Sequence, residues 1–143
     1  DSINKSALSL TSEECIIHIE NFTESRKLGT SNWCISRENS YFDDYVRTSR
    51  RQYFVFDYTK ESNDTMSMIG ITLTDDGQVY AAHKKNDDSA RNHSSINDLK
   101  IKIICLDYEF YKDNLYGDIK NDVEAELKSR ERKNVRTLKT NSI

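Results

Sequence analysis

Trp33-Cys34 sets a thiol beside the only indole of the chain, a few residues after Gly29, one of just four glycines. A cysteine acts as a nucleophile when a cation or base stabilises its thiolate. The three histidines, His18, His83 and His93, stand at no spacing that predicts pairing with Cys34. The expectation is therefore that Trp33 anchors a core and Cys34 occupies a tight position next to it. Tyr41-Phe42-Asp43-Asp44 brings two carboxylates together in the manner of Y-x-D-D hairpins, which hold magnesium between apolar strands. Polar and charged residues flank the pair on both sides here, so solvated aspartates on a short helix are expected instead. His83, Asp87, Asp88 and His93 fall in one polar segment and are donors that metals accept, but nothing in their spacing makes them converge. Neither a metal nor a cofactor is expected, and no catalytic residue is assigned.

Two clusters suit contact with a partner. Arg47, Arg50 and Arg51 stand beside Tyr41, Tyr45 and Tyr53, a mixture that can grip single-stranded nucleic acid by charge and stacking. Glu38, Asp43 and Asp44 lie close enough in sequence to pair with the same arginines. Farther on, Lys128, Arg130, Arg132, Lys133, Arg136 and Lys139 face a single acid, Glu131. Phosphate-cradling and dinucleotide loops, the G-x-S-x-G elbow and the H-E-x-x-H zinc motif are all missing from the sequence.

The 143 residues suffice for one core. They divide into a domain over 1–127 and a basic helix end or tail over 128–143. Mean hydropathy is low, at -0.80, yet 10% of the residues are aromatic, and their clustering argues for a folded chain. A net charge of -3 gives no global attraction to nucleic acid or anionic lipid. Three cysteines without a C-x-x-C pair suggest neither a disulfide framework nor a zinc site. A reducing compartment fits them best. No apolar run approaches the length of a membrane span, so no membrane association is expected.

These residues must be positioned by a small number of elements. Ser12-Glu13-Glu14, followed by apolar residues at Cys15, Ile16, Ile19 and Phe22, predicts a helix over about 12–24. Asn32 to Ser36 reads as a short strand and Glu38 to Arg47 as a short helix or turn. Gln52 to Tyr58, rich in aromatic residues, predicts a strand. Met66 to Thr74 and Gln78 to Ala82 predict a hairpin around Asp75-Asp76-Gly77, because its tight turn needs the positive φ that glycine supplies. Leu99 to Tyr108 reads as a further strand, and Asp118 to about Lys133 as a helix with a stripe at Ile119, Val123 and Leu127. The sum is an α+β domain: an antiparallel sheet of about four to five strands, with helices at the N- and C-terminal ends packed on one face.

Taken together, Gly29-Thr30-x-x-Trp33-Cys34-x-Ser36, then Phe42-x-x-Tyr45, then the aromatic strand from Gln52, resembles a small domain encoded in many tailed bacteriophage genomes. There the motif is spelled close to W-C-T-A, followed by F-x-x-Y and a hydrophobic strand. The resemblance spans roughly Leu28 to Asp87 and brings no catalytic residue with it. It implies a phage protein, in the virion or the host cytoplasm. The expected function is that of a non-enzymatic structural or protein-binding module, with a phage or host protein as partner. Contact residues would be Tyr41, Tyr45, Arg47, Arg50, Arg51 and the basic stretch at Lys128, Arg130, Arg132 and Lys133. The alternative is an accessory protein touching nucleic acid through that basic stretch. A small enzyme using Cys34 or Asp43 and Asp44 stands third.

Overall fold

Cys15-Ile16-Ile17 and Tyr53-Phe54-Val55 are apolar runs with no polar residue between, the pattern of strands covered on both faces. The computed structural model, which describes residues 7–141, gives them that setting. Five strands, β1 (Ala7–Leu10), β2 (Glu14–Ile19), β3 (Arg51–Asp57), β4 (Met68–Leu73) and β5 (Val79–Lys84), form one antiparallel sheet in chain order. Helices α1 (Phe22–Leu28), α2 (Cys34–Arg37) and α3 (Asn39–Val46) connect β2 to β3. Helices α4 (Ile96–Leu106), α5 (Tyr108–Tyr111) and α6 (Gly117–Asn141) follow β5.

The α+β class and the antiparallel sheet are as expected, but the helices are divided between the two faces. Alternate residues of β2 and β3 feed different cores. Ile17 and Phe54 join Trp33, Ile35 and Phe42 on the α1–α3 side. Ile16, Tyr53 and Val55 join Ile103, Ile104, Tyr111 and Val123 on the α4–α6 side. With both faces apolar, helices on one side alone would leave half of the sheet's apolar surface in water.

Three elements differ in type from the sequence reading. The segment expected as a helix over 12–24 is the end of a hairpin, the strand β2 and the start of α1. Thr11 Oγ1 accepts from the amides of Glu13 and Glu14 (both 3.1 Å) and closes the β1–β2 turn. The helix begins only after Asn21, whose side chain caps the Glu24 amide at 3.0 Å. Asn32 to Ser36 is a turn leading into α2 rather than a strand. Leu99 to Tyr108 belongs to the helices α4 and α5. A short apolar run fits a buried strand and a buried helix equally well, and α4 is apolar on several sides because the sheet and α6 both pack on it.

The strand β3, the β4–β5 hairpin and the last helix agree with the sequence, whereas β1 has no counterpart in the sequence reading. Gly77 turns the β4–β5 hairpin at φ 84°, and Thr74 N donates to Gln78 O at 2.9 Å. The outer side of β5 is closed by a return of the chain: Lys84 N donates to Asp88 O and Ala90 N to Ala82 O, both at 2.8 Å. The last helix extends to Asn141, beyond the expected Lys133, so the basic stretch continues α6 without a break.

Candidate functional site

The motif residues gather where α2 and α3 meet β5. Trp33 is buried and its ring lies 5.1 Å from that of Phe54. The indole covers Gly70 of β4, where an added Cβ would come within 3.3 Å of the ring. Its Nε1–H donates to Lys84 O at 2.8 Å, and Asn32 Nδ2 donates to Lys85 O at 3.1 Å. The W-C loop is thereby pinned to the turn that follows β5. Gly29 makes the bend possible, since a side chain there would run into Ser36 Oγ and, at 2.6 Å, Ser25 O. The expectation that Trp33 is a packing centre agrees with this placement.

Cys34 is half-buried beside Tyr45. Burial, and then the neighbouring thiol, push the Tyr45 hydroxyl up to about 12. It therefore remains a neutral donor at ordinary pH. The Tyr45 ring meets Tyr80 of β5 edge-on at 5.8 Å and lies 6.4 Å from the His83 ring. His83 Nδ1 is 3.4 Å from an Asp87 carboxylate oxygen. Arg50 then completes the assembly, its guanidinium 3.9 Å from the centre of the Tyr80 ring. It also donates to Tyr45 O at 2.5 Å, Asp44 O at 2.7 Å and Thr48 Oγ1 at 3.0 Å. These bonds cap the end of α3 and hold Thr48 and Ser49 at φ 62° and 65°, a conformation uncommon for residues other than glycine.

An open groove of about 410 Å³ runs past Tyr45, Tyr80, His83, Ser89 and Arg91. Tyr41, one turn before Tyr45 on α3, is exposed next to this region of the helix. Tyrosine and arginine are the residue types enriched where protein interfaces are strongest, and ordering them before contact lowers the entropy lost on binding.

The sequence candidates are separated by the fold. Tyr41, Tyr45 and Arg50 contribute to the α3–β5 surface. Arg47 is exposed and pairs with Asp44 at 2.6 Å. Arg51 belongs to the opposite face, where it bonds Asp107 at 3.0 Å and lies 3.8 Å above the Phe110 ring. Tyr53, itself buried, donates to the same Asp107 at 2.6 Å. Asp43 and Asp44 are exposed neighbours on α3, not a hairpin pair. His93 bonds Ser95 Oγ at 2.8 Å ahead of α4. Among the described residues, no three His, Cys, Asp or Glu side chains converge to hold a metal.

On α6, Arg130 pairs with Glu126 at 3.1 Å, while Lys128, Arg132 and Lys133 are exposed. Among the described residues, no helix is long and apolar enough to cross a membrane. Sequence reasoning missed Tyr80 and Arg91. The one available signal was Tyr80 as the only aromatic in Val79-Tyr80-Ala81-Ala82, a large ring beside two alanines.

In comparisons with protein families, curated proteins and solved structures, none matches this chain.

Proposed function

We propose that this chain is a non-enzymatic binding module of a bacteriophage, and that it engages a protein partner through the surface formed by α3 and β5. One observation carries the reading: Tyr45, Tyr80 and Arg50 are packed together in advance beside an open groove, with Tyr80 and Tyr41 exposed. Such a surface presents large contact area with little side-chain freedom left to lose. The phage assignment rests on the resemblance of the Gly29–Ser36 motif and the residues after it. The partner is a phage or host protein, and the module belongs to the virion or acts inside the host cell.

The test is photo-cross-linking in infected cells, with a benzophenone side chain at position 41. A single discrete adduct is expected, and Tyr80→Ala should reduce it at least tenfold while the melting temperature stays close to that of the parent. Adduct formation that is indifferent to Tyr80→Ala, or no adduct at all, would overturn the reading.

A further inference from the structure

The charge of this chain is divided along its length. From Lys128 onward there are six lysines and arginines against one acid, whereas residues 1–127 hold 15 basic residues and 23 acidic ones. The basic stretch continues α6, a helix of 25 residues, about 37 Å long at 1.5 Å per residue. Its first half packs on the domain through Val123, which is fully buried, with Ile119 and Leu127 beside it. From Glu131 to Arg136 every side chain is exposed.

Helical spacing sorts these cations. Lys128, Arg132 and Arg136 follow one another at intervals of four and so share one side of the helix. That side is opposite the stripe of Ile119, Val123 and Leu127. All three are exposed, and among the described residues none of them forms an ion pair, unlike Arg130 with its Glu126 partner. The result is a straight row of cations pointing away from an acidic body.

We infer that Lys128, Arg132 and Arg136 are a phosphate-contacting row by which this chain holds the backbone of a nucleic-acid duplex. A linear row of positive charge complements a linear polyanion, and phosphate contact requires charge without sequence readout. The row itself contains no aromatic ring. Single strands are held by stacking on such rings, and protein interfaces rely on aromatic anchors, so the duplex is the occupant favoured over either. The acidic body repels the same polyanion and confines contact to the arm. This assignment is independent of the α3–β5 surface.

The experiment measures anisotropy of a labelled 20-base-pair DNA duplex with the full chain across a salt series. Binding at low salt is expected, with log K falling against log salt with a slope of about -2.7 for three neutralised phosphates. Arg132→Glu should weaken binding at least tenfold, while Arg37→Glu, the same charge change on α2, should weaken it less than threefold. Glutamate retains helix propensity at these positions, and circular dichroism verifies that α6 persists. Three results would overturn the inference: no binding at low salt, equal loss from both variants, or binding of polyglutamate or the single strand as tight as that of the duplex.

Discussion

The two faces of the sheet solve the same packing problem by different means. On the α1–α3 side one large ring settles against backbone. Trp33 fills the space over Gly70, and its single polar atom is satisfied by a main-chain carbonyl after β5. On the α4–α6 side the strands meet helices through side-chain chemistry. Tyr53 and Tyr111 share a hydroxyl contact of 2.6 Å, Tyr53 donates to Asp107, and Arg51 closes the cluster. The first arrangement depends on shape, the second on every polar group retaining its partner. The shape-dependent face is also the one that presents the α3–β5 surface, so its rigidity is what orders the exposed tyrosines.

Substitutions can break this contrast. The largest effect is expected for Trp33→Ala, which should cost about 3–5 kcal/mol in urea unfolding because the ring leaves a cavity over Gly70. Tyr53→Phe should cost about 1–3 kcal/mol by the same measurement, since it deprives half-buried Asp107 of a donor while leaving the packing intact. If Tyr53→Phe proves the more damaging, the polar network and not the indole is the keystone of the domain.

The smallest effect concerns His18, whose ring lies tilted 5.6 Å from that of Tyr53 and belongs to the same polar face. Burial is the main cause of its lowered pKa, and Arg51 lowers it further, against opposing pulls from Asp107, Glu20 and Glu24. The unfolded chain therefore binds this proton more readily than the folded one below the ordinary value of 6.5. This contribution to stability is complete above that value and declines as pH falls toward the folded pKa. His18→Gln should flatten the stability profile between pH 6.5 and 5 relative to the parent. Parallel profiles for the two proteins would show that the face does not sense this proton.

Much of the scaffold was legible in the sequence where a residue type had one physical use. The aromatic run of β3, the Asp-Gly turn and the polar helix α6 are of that kind. Cys15 to Ile19 and Leu99 to Leu106 were not, because an unbroken apolar run reports burial on several sides without naming the geometry. The sheet sandwiched between helices creates that burial for β2 and α4 alike, so by sequence one reads as a helix and the other as a strand. Within the candidate site, Trp33 and Tyr45 could be found from the motif. Their meeting with Tyr80 and His83 could not, because it depends on which side of β5 faces α3, and the register of the sheet decides that. Arg50 and Arg51, adjacent in sequence, illustrate the same limit: they serve opposite faces.

The return of the chain over β5 has a consequence for crowding. A bare strand edge invites copies of a chain to join by backbone pairing, regardless of their side chains. Here Asp88 and Ala90 already occupy the groups of Lys84 and Ala82 on that edge. Where many copies are packed together, encounters at this end of the sheet are decided by Tyr80, Arg91 and their neighbours. Selectivity at that end is thus a property of chemistry that can mutate one residue at a time, not of an edge that would accept any strand.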